Sequence, residues 1–137
     1  MYRMQSLYPQ VCHSWWLLKI TYGLLFLIAG ADKFMNLVTD WEKYVSPFTL
    51  SLFPLSLEQF IIGVGIIEII IGALTLFFIT RVGAYLSVAW LLLIVINLLS
   101  MGRYFDIAVR DVVMAVGALV LALLTDVCNE RVTKENN

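Results

Sequence analysis

The sequence predicts an all-α fold, a polytopic membrane bundle of four helices, and three observations predict it. Of its 137 residues, 61% are apolar and 14% charged, against about 45 to 50% and roughly 25% in a typical soluble domain. Four stretches of roughly 17 to 24 residues carry few charges, and each is long enough to cross the hydrocarbon core of a bilayer as a helix. Because backbone that crosses lipid must satisfy its own hydrogen bonds, helices are favoured over isolated strands. We expect one four-span domain over residues 1–137.

The first predicted span covers about residues 15–31. Trp15 and Trp16 at its start are typical of the aromatic belt at a membrane interface. Lys19 interrupts the apolar run near enough to the end for its aliphatic stem to reach the interface. A cleaved signal peptide is the alternative interpretation, because residues 29–31 are small and follow an apolar segment.

The second span, about residues 57–80, follows a helix start signal. Ser56 and Gln59 have the spacing of a capping box, in which each side chain bonds the backbone N–H of the other. The third span, about 82–101, contains no charged residue. Almost no chain separates these two spans, so we expect them to form a tight antiparallel hairpin.

The fourth span, about residues 107–125, is followed by a polar tail, 126–137, which we expect to be frayed. The long connection between the first two spans, residues 32–56, mixes aromatic and charged side chains, and this composition favours a loop on the bilayer surface. The bilayer is thus the expected environment, and a homo-oligomer is compatible with the sequence.

An even number of spans places both termini on one side of the membrane. Five basic residues lie on the terminal side and four on the other, namely Arg3, Lys19, Arg81, Arg131 and Lys134 against Lys33, Lys43, Arg103 and Arg110. If Lys33 and Arg110 point into the bundle, the comparison becomes five against two. The positive-inside rule then predicts an inner (cell) membrane protein with cytoplasmic termini and the loop 32–56 outside.

At helical spacing, small and polar residues share one face of each span, where helices contact one another in lipid. These faces are Lys19, Gly23, Phe26, Gly30 and Lys33; Gly65, Glu68, Gly72 and Thr75; Gly83, Ser87, Trp90 and Asn97; and Asp111, Ala115, Ala118 and Ala122. For Gly30, Gly65 and Gly72 we predict a structural role in close helix packing.

Glu68 is the first functional candidate, because a charge near the bilayer centre must be paired, hydrated or protonated. Alternating span directions bring it to the same depth as the predicted ligand-binding residues Lys33, Asn97, Arg110 and Asp111. One interpretation is an ion-pair network that sets the helix register. The other is a polar pocket for an anionic or carbonyl-bearing ligand, with Glu68 exchanging a proton.

Several classes of function lack the residues they need. Net charge is -1 and no basic run exists, which argues against nucleic-acid binding. His13 is the only histidine, so the sequence predicts no metal site and no bis-histidine haem within one chain. Cys12 and Cys128 stand at opposite ends of the sequence with no C-x-x-C motif, and we expect two unpaired thiols. No intrinsic cofactor is predicted.

Three segments resemble the DoxX-like family of small four-helix membrane proteins, which includes DoxX, DoxD and MauE relatives. Residues 23–34, GLLFLIAGADKF, resemble its "GLLFLxAGxxK" signature. Glu68 followed four residues later by Gly72 is similar to the family's second span, and Arg110-Asp111 to the entry of its last helix. The resemblance runs in order over nearly the whole chain and matches Gly30 and Lys33 as well.

The resemblance implies an accessory or quinone-facing subunit of a membrane-associated oxidoreductase system, with an oxidoreductase as partner and quinone as a possible bound cofactor. One departure is that the MauE branch has cysteines near the third loop, where this chain has residues 101–105, MGRYF. The alternative is a non-enzymatic bundle that assists assembly of a partner or carries a small solute. Whether the chain is an enzyme stays open at this point.

Overall fold

The computed structural model describes residues 7–135, with side chains described for residues 7–130. This part of the chain is helical and contains no strand. Its elements are α1 Tyr8–Met35, a 3₁₀ turn Trp41–Tyr44, α2 Pro47–Ser51, α3 Leu57–Phe77, α4 Thr80–Ser100 and α5 Phe105–Glu135. Four of the five α-helices, α1, α3, α4 and α5, are long and apolar enough to cross a membrane. The predicted all-α, multi-pass bundle is confirmed.

The first and last helices are longer than the predicted spans. α1 has 28 residues, or about 42 Å at 1.5 Å per residue, so it extends beyond the hydrocarbon core. α5 continues to Glu135, and the prediction of a frayed tail is therefore wrong for residues 126–135, while 136–137 lie outside the described residues. The physical reason is that residues 126–135 contain no Gly or Pro to end the helix, and Cys128 is buried.

The predicted helix start and hairpin are both present around α3. Ser56 Oγ accepts a hydrogen bond from the N–H of Gln59, and Gln59 Oε1 accepts one from the N–H of Ser56. These two bonds complete the capping box. Only Phe78 and Ile79 separate α3 from α4, so the two helices form a tight hairpin.

The four long helices form a ring in which α1 packs most closely on α3 and α4 on α5. Glycines permit the first of these approaches. A Cβ on Gly30 would lie 2.7 Å from the carbonyl oxygen of Gly65, and one on Gly72 would lie 2.9 Å from that of Gly23. Backbone therefore lies against backbone, and the structure places Gly30, Gly65 and Gly72 in the predicted packing role.

The predicted inward faces of α3 and α5 are buried at every position. These residues are Gly65, Glu68, Gly72 and Thr75 on α3 and Asp111, Ala115, Ala118 and Ala122 on α5. Tyr22 and Phe26 of α1 and Leu91 of α4 complete a core with them. The same face therefore carries both the apolar core and the buried charges.

Candidate functional site at the buried charges

The main polar feature of the interior is an ion pair between α1 and α3. Lys33 Nζ lies 2.6 Å from Glu68 Oε2, and the two side chains are 6% and 4% exposed. Lys33 is in the last turn of α1, whereas Glu68 is the twelfth residue of the 21 in α3. Glu68 is therefore about 16 Å along the helix from the start of α3, near mid-membrane. The predicted pairing of these charges is confirmed.

Trp90 of α4 holds the second oxygen of the Glu68 carboxylate. Its indole Nε1 donates to Glu68 Oε1 over 3.2 Å, and Trp90 itself is half-buried. Trp90 is also midway along α4, so the two side chains meet at one depth. Sequence analysis placed Trp90 on the inward face but not at the site, because indole donors and packing aromatics look the same in a sequence.

Trp41, in the loop after α1, covers Lys33. The ammonium lies 3.6 Å from the centre of its ring, a cation–π contact. Trp41 Nε1 in turn donates to Asp32 Oδ2 over 2.7 Å, and Asp32 Oδ1 accepts from the backbone N–H groups of Leu37 and Val38. Asp32 thus folds the chain after α1 so that Trp41 returns over the site, a role that sequence analysis missed.

Asp111 and Arg110 form a second charged pair, at the start of α5. Arg110 Nε lies 3.3 Å from Asp111 Oδ1, and the Asp111 side chain is 5% exposed. The Arg110 side chain is 64% exposed, so it does not point into the bundle as the charge count supposed. Asp32, Glu68 and Asp111 are all buried, so among the described residues the interior holds three carboxylates and one lysine.

The structure places Asn97 against the loop rather than against Glu68. Its Oδ1 accepts from the N–H of Ser46 over 3.0 Å, and its Nδ2 donates to the carbonyl oxygen of Tyr44 over 2.6 Å. Both polar groups of the side chain are occupied by loop backbone. Asn97 therefore anchors the segment that follows Trp41, and no contact of this residue suggests a bound ligand.

A cavity of about 130 Å³ adjoins the ion pair at the loop end of the bundle. Lys33 forms part of its wall, with the exposed carboxylates Glu42 and Glu58 and the apolar side chains of Ile61 and Ile62. Of the two residues of the ion pair, Lys33 borders the cavity and Glu68 does not. The cavity therefore lies beside the residue that bonds Glu68.

The prediction of two unpaired thiols is wrong, because Cys12 and Cys128 form a disulfide. Their Cα atoms are 5.9 Å apart, within the usual range for such a bond. The residues are 116 positions apart in the sequence, but an even number of spans returns α5 to the end at which α1 begins. Trp15 Nε1 also donates to Thr125 Oγ1 along this contact, over 2.8 Å.

No group of three or more His, Cys, Asp or Glu side chains that could hold a metal ion occurs in the described part of the chain. Comparisons of the chain with protein-family models, with curated proteins and with solved structures find no match.

Proposed function

We propose that this chain is a DoxX-like accessory subunit of a membrane-associated oxidoreductase system, in which Glu68 exchanges a proton with a lipid-soluble quinone. The observation that carries the proposal is the buried carboxylate of Glu68 at mid-membrane, with Lys33 on one oxygen and Trp90 on the other. Ionisable residues at this depth are costly and mark proton or ligand pathways.

A carbonyl-bearing ring at this site would take over one of the hydrogen bonds that Lys33 and Trp90 now donate to Glu68. When bound, a quinone would supply two-electron redox chemistry, with the electrons coming from the partner oxidoreductase and each ring oxygen gaining a proton. Trp90 is half-buried, so a quinone that approaches from the lipid could reach part of the ring whose N–H bonds Glu68. Lys33 would hold the carboxylate in place and orient it, and the cavity at the loop end would return a proton from water.

Proton exchange at Glu68 is testable without knowledge of the partner. Dicyclohexylcarbodiimide modifies protonated carboxyl groups in apolar surroundings. We expect it to label Glu68 in membranes, with labelling that increases as pH falls. In the Glu68→Gln variant, α3 should carry no label. Glu130→Gln, which changes an exposed carboxylate on α5, is the matched control and should label as the unchanged protein does. Absence of label at Glu68 at every pH would contradict proton exchange.

The redox role is tested by what accompanies the protein. In a mild detergent, mass spectrometry should find a quinone and a soluble oxidoreductase with the purified chain. Partner-linked quinone reduction should fall at least about tenfold in Glu68→Gln, as expected when a general acid–base group is removed. Glu130→Gln should retain activity. Activity that survives Glu68→Gln unchanged across pH would assign Glu68 to structure alone.

A non-enzymatic bundle that assists a partner's assembly or carries a small solute is the second candidate, and one observation favours it. Lys33 contacts Glu68, the carbonyl oxygen of Ala29 and the ring of Trp41 without any ligand. In the described residues, no buried side-chain nitrogen or oxygen lacks a hydrogen-bond partner. Such a closed network would set helix register. Purified protein free of quinone, in which Glu68→Gln still supports partner assembly, would favour this role.

We also propose that the membrane is the cell (inner) membrane and that both termini are cytoplasmic. With Lys33 buried and Arg110 exposed, five basic residues on the terminal side stand against three on the loop side, Lys43, Arg103 and Arg110. In this orientation Cys12 and Cys128 would be thiols in the cell, because lasting disulfides belong to oxidising compartments, and the bond in the structure is the one observation that favours the opposite orientation.

A further inference from the structure

A second cavity, of about 250 Å³, lies at the opposite end of the bundle from the cavity beside Lys33. Its wall brings together the start of α1, the α3–α4 hairpin and the end of α5. The polar part of the wall comprises Lys19, Thr80, Arg81, Thr125 and Asn129, and the apolar part Trp15, Phe78 and Ile79. This volume is smaller than the pockets that enclose drug-sized ligands, and it suits a small polar group.

The wall of this cavity carries an excess of positive charge. Arg81 Nη1 is paired with Asp126 Oδ1 at 3.2 Å, but no carboxylate among the side chains of residues 7–130 lies within ion-pair distance of Lys19. The Lys19 ammonium instead lies 4.9 Å from the ring centres of Trp15 and Trp16. Two cations and one carboxylate leave one positive charge, which an anion would neutralise.

The position of the cavity favours an anion attached to lipid. Trp15 and Trp16 mark an interfacial depth, and Phe78 and Ile79 are 74% and 56% exposed in the adjoining hairpin. α4 begins here at Thr80 with no side-chain cap on its first turn, so the positive end of its dipole adds to the field of the cations. An amphiphile whose anionic head enters the cavity while its acyl chains follow the hairpin would meet both surfaces.

We propose that Lys19 and Arg81 bind the phosphate of an anionic lipid headgroup in this cavity. Lys19 contributes a point charge with three donors, and Arg81 a planar fork of donors that can bond phosphate and Asp126 together. Basic pockets between membrane helices bind such headgroups in general. The site does not include Glu68, which is in the middle of α3, and it gives the terminal side of the protein a lipid preference.

The test uses the full chain in mild detergent, titrated with phosphatidylglycerol and, separately, with phosphatidylcholine or inorganic phosphate. Native mass spectrometry measures bound lipid, and Trp fluorescence reports the surroundings of Trp15 and Trp16. We expect phosphatidylglycerol to bind, and the double variant Lys19→Gln/Arg81→Gln to bind it at least about tenfold more weakly, as for the loss of charge-assisted hydrogen bonds. The matched control is Lys43→Gln/Arg103→Gln, which removes two exposed cations from the loop end and should bind as the unchanged protein does.

The remaining arms separate the sources of the phosphate. Lys19→Arg keeps the positive charge and should bind phosphatidylglycerol. This variant keeps the test valid if circular dichroism shows that Lys19→Gln changes the fold. Equal binding of phosphatidylglycerol and phosphatidylcholine, or an equal loss in both double variants, would overturn the proposal. Binding of inorganic phosphate without phosphatidylglycerol would assign the cations to free phosphate and would overturn the lipid site.

Discussion

The ammonium of Lys33 lies 2.6 Å from Glu68 Oε2, although Lys33 is in the last turn of α1 and Glu68 is in the middle of α3. The long side chain of Lys33 covers the difference in depth by running inward from the last turn of its helix. Its aliphatic part starts beside Gly65, since a Cβ on Gly65 would be 3.1 Å from Lys33 Cβ. The absence of a side chain at Gly65 thus gives the lysine its path to the carboxylate.

Breaking this pair from one side should cost more than removing it entirely. Lys33→Met or Glu68→Leu leaves a single buried charge, and we expect each to destabilise the fold by about 3 to 5 kcal/mol. The double variant replaces both charges with apolar groups and should be nearer to the unchanged protein. Thermal unfolding of the four proteins in one detergent measures this. Simple additivity of the two single effects would contradict a direct pair.

The contact of α1 with α3 predicts different effects for substitutions at two glycines, Gly30 of α1 and Gly63 of α3. Gly30→Ala places a Cβ 2.7 Å from the backbone oxygen of Gly65, so the helices must separate, at a cost of about 1 to 3 kcal/mol. Gly63→Ala meets nothing within 4 Å and should be neutral or stabilise α3 by up to about 1 kcal/mol. Thermal unfolding compares the two, and equal destabilisation would argue against close packing at Gly30.

Asn97 should act on the loop and not on a ligand. Asn97→Leu removes the hydrogen bonds to Ser46 N–H and to the Tyr44 carbonyl, and we expect amide exchange in residues 44–46 to become at least about tenfold faster. Ser51→Ala is the control, because the Ser51 hydroxyl bonds only the carbonyl of Phe48 within α2. Unchanged exchange in the Asn97 variant would show that the loop is held by other contacts.

The Cys12–Cys128 bond should stabilise the contact between α1 and α5. Because it closes a loop of more than a hundred residues, its reduction is expected to cost about 2 to 5 kcal/mol. After mild oxidation, a maleimide reagent should label no cysteine in the purified protein, and two after reduction. Cys12→Ser should show one labelled thiol in both states and no effect of reductant on thermal unfolding. Two labelled thiols after oxidation would exclude the bond.

The proposed orientation makes a separate prediction about cells. With cytoplasmic termini, a fluorescent protein fused at Asn137 should be fluorescent. Alkaline phosphatase, which is active only in the periplasm, should be active when it is inserted near Pro47. When thiol exchange in whole cells is stopped with acid, Cys12 and Cys128 should both be found as thiols, because the cytoplasm is reducing. An intact disulfide in the acid-treated cells, together with active alkaline phosphatase at Asn137, would show that the termini are periplasmic.

The sequence by itself determined the helices and their inward faces. Composition and span length require a membrane bundle, and the spacing of small and polar residues identifies the buried faces of α3 and α5, because helical periodicity is a local property. The capping box at Ser56 and Gln59 is equally local. The burial and pairing of Glu68 also followed from sequence, since an unpaired charge at that depth is too costly to keep.

Only the tertiary structure decided which partners these residues have. Trp41 covers Lys33 because Asp32 turns the chain after α1, and Trp90 bonds Glu68 because α4 packs at a particular rotation. The pairing of Cys12 with Cys128 likewise required α1 and α5 to be neighbours in the ring. Each of these contacts joins residues whose separation in sequence carries no information about distance, so a local pattern could not reveal them.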